Sequence, residues 1–122
     1  MNTIPSTETL DSYINQNGVK PGVAKLDQFV KALKLRGTPK LYAQDGNGGK
    51  AIAYVKFFDP TGSWTWYATE FDGYDLCFGK VVGDEVELGY FNLSELAVIG
   101  SHFGIGIEID VHFLPSPLDQ CK

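Results

Sequence analysis

The chain is expected to be an α+β domain: two N-terminal helices, a mostly antiparallel sheet of five or six strands, and one short helix before the last strand. Three observations lead there. Apolar residues recur at helical spacing within the first 36 positions. Aromatic-rich segments then alternate in period two, separated by Asp-Pro-Thr-Gly, Asp-Gly and Gly-Asp turns. A capping signal, Asn92 with Glu95 three residues on, closes the series. Helices first and strands afterwards read as segregated α+β layers.

Residues 1–5 read as a loose tail. Ser6 or Thr7 can cap a first helix with Leu10, Tyr13 and Ile14 on one face. Gly18 ends it and Pro21-Gly22 breaks the chain. A second helix is expected from Val23 to Leu35, with Val23, Leu26, Phe29, Val30 and Leu33 as its apolar stripe and Lys25, Lys31 and Lys34 on other faces. Gly37 suits the first position past the helix, and Pro39 forbids continuation.

Leu41–Ala43 reads as a short strand. The run Asp45-Gly46-Asn47-Gly48-Gly49 lacks the Gly-Lys-Ser/Thr ending of a phosphate loop and leads into a strand, Ala51–Phe58, so it reads as a hairpin loop. Asp59-Pro60-Thr61-Gly62 is a turn. In the next strand, Ser63–Phe71, Trp64, Trp66 and Ala68 share one face, and Thr65, Tyr67 and Thr69 the other. Leu76–Val82 and Glu85–Phe91 follow, joined by a Gly83-Asp84 hairpin. Val86, Leu88 and Tyr90 alternate with Glu85, Glu87 and Gly89, so one side faces water. Asn92 and Glu95 form a capping box for a short helix that packs Leu93 and Leu96 inward and ends at Gly100. Ile107, Ile109, Val111 and Phe113 alternate with Glu108, Asp110 and His112 in a last half-buried strand, after which Pro115 and Pro117 stop pairing.

At 122 residues the chain reads as a single domain: a helical extension over 1–36, an α+β core over 37–114 and a tail over 115–122. With 43% hydrophobic and 13% aromatic residues it can fill a core, which argues against disorder. No apolar run approaches the ~20 residues that span a bilayer, and the start has neither a basic nor an apolar leader region, so no membrane partner and a cytoplasmic location are expected. Cys77 and Cys121 read as reduced thiols, neither at zinc-site spacing. Residues 1–40 carry a surplus of three positive charges and residues 41–122 a surplus of eight negative ones, for a net −5. The acidic part repels phosphate backbones, so direct nucleic-acid binding is expected only through residues 20–40.

Several side-chain groups are candidates for chemistry. Glu108, Asp110 and His112 share one strand face, and with Glu70 or Glu87 they could gather on one metal ion, although polar residues at period two also describe a solvated face. Glu70, Asp72 and Asp75 crowd a strand end, where paired carboxylates can act as acid and base or simply make a turn. Asp59, Glu70 and Lys80 lack the compact Glu-x-Lys element of nuclease sites. Gly100-Ser101-His102 is not a nucleophile elbow. Trp64, Trp66 and Tyr67 form an aromatic strip that either anchors a partner or lies in the core.

The ordered series K-F-F at 56–58, W-T-W-Y-A-T-E at 64–70, C-F-G at 77–79, E-L-G-Y at 87–90, L-S-E-L at 93–96 and I-D-V-H-F at 109–113 resembles domain-of-unknown-function family 2958 (DUF2958) over residues 37–114. The resemblance implies a compact accessory domain of bacterial plasmids, phages and integrative elements. It transfers no catalytic residue and no cofactor. Residues 1–36 fit the family less closely.

The expected function is therefore a non-enzymatic protein-interaction module of a mobile element, acting on a host defence or DNA-processing protein. Trp64, Trp66, Glu85, Glu87, Glu108 and Asp110 are its candidate contact residues, and their acids should cluster on one surface. The alternatives are a metal-dependent hydrolase or nuclease-like enzyme on Glu70, Asp72, Glu108, Asp110 and His112, and nucleic-acid binding through the basic N-terminal helices.

Overall fold

The structure, a computed structural model, describes residues 23–99 and 106–122. The expected first helix, with Leu10, Tyr13 and Ile14, and the Gly100-Ser101-His102 segment lie outside those residues.

The apolar stripe of the second helix becomes α1, Val23–Leu35, at the bounds its periodicity sets. Gly37 takes φ 72° just beyond it. Its N–H donates to the Lys34 carbonyl and that of Thr38 to the Leu33 carbonyl, each at 3.1 Å. These two bonds are a Schellman termination, which needs a residue without Cβ strain at that point. One face of α1 departs from expectation: Lys25 is buried, which lowers its pKa, while the charge of Glu108 partly offsets that cost.

The strands are β1 (Ile52–Ala53), β2 (Val55–Phe58), β3 (Thr65–Phe71), β4 (Leu76–Val82), β5 (Val86–Asn92), β6 (Glu108–Ile109) and β7 (Ser116–Pro117), with a short helix α2 (Leu93–Leu96) directly after β5. Five of them form one antiparallel sheet in the order β5-β4-β3-β2-β6, and β1 pairs with β7 in a separate two-stranded sheet. The α+β class and the antiparallel sheet therefore stand.

α1 and α2 cover one face. Phe29 and Leu33 pack on Phe57, Trp66, Cys77 and Phe91 in the main core, and Phe29 meets Phe57 edge to face at 4.9 Å. The C-terminal segment covers part of the other face, where Leu118 and Cys121 bury Ala51, Ala53 and Tyr67. β3 is thus buried on both faces along almost its whole length.

Four expectations are corrected. Leu41–Ala43 is a turn, with Tyr42 at φ 71°, so the glycine run joins no hairpin. The long last strand shrinks to Glu108–Ile109, because the chain bends at Asp110, whose carboxylate takes the His112 N–H at 3.0 Å. Pro115 and Pro117 do not end pairing: Pro117 sits opposite Ile52 in β7, an edge position that needs no donor. The predicted tail is consequently part of the fold. Finally, Asn92 makes no side-chain cap at α2. The cap comes from Asp75, whose carboxylate accepts from Ser94 N at 2.7 Å, Ser94 Oγ at 2.9 Å and Asn92 Nδ2 at 3.0 Å.

Candidate functional site

Among the described residues β5 ends the five-stranded sheet, and its hydrogen-bond phase decides what it presents. Gly83 N–H donates to Glu85 C=O, and Leu93 N–H to Asp75 C=O, both at 2.9 Å. Every residue between is paired in register with β4. Antiparallel alternation then directs the odd-numbered residues toward β4 and turns the N–H and C=O of Val86, Leu88 and Tyr90 to the open edge.

The side chains of those same residues are exposed: Val86 63%, Leu88 53% and Tyr90 51%. The sequence pattern suggested an inward apolar set with glutamates in water; the glutamates are exposed as expected, but the apolar set is exposed as well. They pair with Val82, Lys80 and Phe78, on the face that carries the C-terminal segment. That segment reaches as far as Lys80, whose Nζ donates to the Cys121 carbonyl at 2.6 Å, and leaves the β5 side chains uncovered. Tyr90 packs edge to face on Phe78 at 4.9 Å.

Tyr42 adjoins this ridge. The proximity of its hydroxyl raises the Tyr90 pKa. Tyr42 is held there by Glu70, which is buried and accepts from Tyr42 N and Gln44 N at 2.8 Å each. Gln44 in turn clamps β1 and β3, donating to Ile52 O at 2.8 Å and Thr69 O at 2.9 Å and accepting from Ile52 N at 2.6 Å. Glu70 is therefore the anchor of the 40–46 loop, which holds an aromatic residue in a left-handed conformation beside the edge.

The other face of β5 carries Glu85, Glu87 and Gly89. Together with Trp64, Val81, Asp84 and Tyr90 they line an open hollow of about 450 Å³. Trp64, 41% exposed, lies against Gly83, where a Cβ would meet its ring at 2.5 Å. Gly89 has open space where a side chain would stand. An aromatic ring and three carboxylates around a gap favour a cationic side chain.

The structure divides the expected contact set. Trp64, Glu85 and Glu87 meet at this hollow, whereas Trp66 is buried beneath α1 and α2. Glu108 and Asp110 lie at the opposite edge of the sheet, on and just beyond β6, so the four acids share no surface. Asp110 is paired with Lys56 at 3.6 Å, and Glu108 is the electrostatic neighbour of Lys25. Asp84, Val86, Leu88 and Tyr90 belong to the same edge. Strand alternation alone could not single them out, because it does not say which strand lies outermost.

The metal reading is corrected on the same grounds. Glu70 is committed to the 40–46 loop. Asp72 accepts from Tyr74 N, Asp75 N and Leu76 N at 2.7–3.1 Å. Burial pushes its carboxyl up, but these backbone donors outweigh that and hold it below the usual value. Asp110 binds its own turn, and β2 separates β6 from β3. Among the described residues no three His, Cys, Asp or Glu side chains gather as a metal site. Asp59 closes its own turn on Thr61, and Lys80 is tied to the C-terminal segment, so the Asp59, Glu70 and Lys80 set does not converge either. Cys77 is buried and its thiol is pushed up by that burial, which opposes a nucleophilic role.

Of the basic N-terminal residues, Lys25 is buried and Arg36 donates to the backbone carbonyls of Tyr54 and Val111. No helix among the described residues is long and apolar enough to cross a membrane.

A family model described as "Protein of unknown function (DUF2958)" matches residues 33–118. No curated protein and no solved structure matches the chain. The matched span takes in every strand of both sheets, and the β5 edge lies inside it.

Proposed function

The chain belongs to the DUF2958 family, and from that premise we propose that it is a non-catalytic protein-interaction module whose contact surface is the β5 edge. The observation that carries this is one strand with three coincident features: outward backbone groups, an exposed apolar ridge, and an acid-lined aromatic hollow. Exposed apolar side chains on an open edge are a liability that soluble folds normally blunt, so their retention beside an acidic hollow favours use as a contact. The family's expected carriage on mobile elements suggests a host defence or DNA-processing protein as target. Such proteins commonly present basic surfaces, to which Asp84, Glu85 and Glu87 are complementary.

The test is affinity capture from a host lysate with three baits: the native chain, a Glu85→Lys/Glu87→Lys variant and a Glu108→Lys/Asp110→Lys variant. A protein retained by the native and Glu108/Asp110 baits but lost by the Glu85/Glu87 bait is the expected outcome. Identical capture by all three baits, or none by any, overturns the assignment of this edge.

A further inference from the structure

Resting on the interaction reading above, we infer that β5 binds its partner by strand addition: the ligand is an extended protein segment in which Arg or Lys alternates with apolar residues. The backbone supplies the mode. Val86, Leu88 and Tyr90 turn their N–H and C=O groups outward at the two-residue spacing an incoming strand requires. The side chains supply the alternation. Successive residues of an added strand point to opposite faces. On one face they meet the apolar side chains of Val86, Leu88 and Tyr90, and on the other the hollow of Trp64, Asp84, Glu85 and Glu87. Gly89, beside Glu87 on that second face and lining the same hollow as Trp64, leaves room for a long side chain. A guanidinium or ammonium there gains both a ring face and carboxylates.

Charge decides among occupants. In a second copy of this chain paired antiparallel about Leu88, Glu87 would face Gly89 and Glu85 would face Phe91. Glu85, Glu87 and Asp84 of both copies would then crowd one face of the seam in chains that each carry −5. Pairing about Glu87 would set the two copies' Glu87 side chains directly opposite, which is destabilising. A purely apolar segment would strip water from three carboxylates without replacing it. Nucleic acid is repelled by the same acids. A strand alternating cationic and apolar residues satisfies both faces.

The experiment is selection of random twelve-residue peptides displayed on phage against the immobilised full chain, with Leu88→Pro, Leu88→Thr and Glu87→Lys variants in parallel. Leu88→Pro removes an outward N–H and leaves the β4 ladder whole, a substitution that edge strands admit. Leu88→Thr keeps the donor while changing the side chain. The expected peptides alternate Arg/Lys with apolar residues. They bind Leu88→Pro at least about tenfold more weakly than Leu88→Thr, bind Glu87→Lys more weakly than the native chain, and slow amide exchange at 86, 88 and 90 in the native protein. That last measurement stands even if Leu88→Pro does not fold. Peptides that bind without slowing those amides, or bind Leu88→Pro as well as Leu88→Thr, overturn strand addition while leaving an interaction module in place. Peptides lacking basic alternation, or indifferent to Glu87→Lys, overturn the partner chemistry. A dimer in sedimentation velocity that Leu88→Pro abolishes makes a second copy the occupant and overturns the proposal. No enrichment over a blank surface also overturns it, whereas failure of the module itself is read independently from the three-bait capture.

Discussion

Gly79 and Gly89 sit opposite one another in β4 and β5, yet they differ in what surrounds them. A Cβ on Gly79 would lie 1.8 Å from the Tyr67 carbonyl oxygen, beside the register shift between Ala68 and Glu70 in β3. One on Gly89 would meet nothing within 4 Å. Gly79→Ala should therefore lower stability by about 3 kcal/mol through forced backbone movement. Gly89→Ala should leave it unchanged or raise it by about 0.5 kcal/mol through lost unfolded-state freedom. Urea denaturation of the two variants measures both, and equal effects would contradict the described register. Neither outcome is legible in the sequence, where both residues are merely glycines within strands. Glu70 is a similar case: among neighbouring acids it reads as a candidate catalyst, but its two backbone donors lie 26 and 28 positions away.

At the scale of elements, α1 and β4 have the bounds their patterns set, because capping and alternation are local. α2 shows where local logic stops. Its sequence carries a capping box, yet the cap is supplied by Asp75, 19 residues before Ser94. A four-residue helix gains little from its own hydrogen bonds and depends on that carboxylate. Asp75→Ala should cost about 1–2 kcal/mol and speed amide exchange at Ser94, while Glu95→Ala should do neither. If the two variants behave alike in hydrogen exchange, the capping box is the operative cap after all. β5 makes the converse point, since its alternation was plain but not that both halves of it meet water.

For the whole molecule, the decisive feature is sheet order. Placing β5 and β6 at opposite edges parts Glu85 and Glu87 from Glu108 and Asp110, which the sequence had grouped by charge alone. Among the described residues, the C-terminal segment then covers one part of that face and leaves β5 exposed. Leu118 and Cys121 bury Tyr67, and the Tyr67 hydroxyl donates to the Lys122 carbonyl at 2.5 Å. Deleting residues 115–122 should cost about 3 kcal/mol or more from the exposed apolar surface. It should also raise Tyr67 fluorescence quenching by an added solute; a deletion variant as stable as the full chain would mean that the segment merely rests on the sheet.

Residues 23–35 and the strand-rich run from 65 to 92 declare their conformations through periodicity and turn residues, which act within a few positions. The α+β class and the family resemblance follow from that local information. Which strand lies at the edge, which of its faces is covered, and which carboxylates are already bonded depend on pairings between distant residues. The same Val-Glu-Leu-Gly-Tyr alternation would serve a covered strand equally well. Among the described residues it stands at an edge, because no strand pairs with β5 on its outer side and the covering segment stops at Lys80.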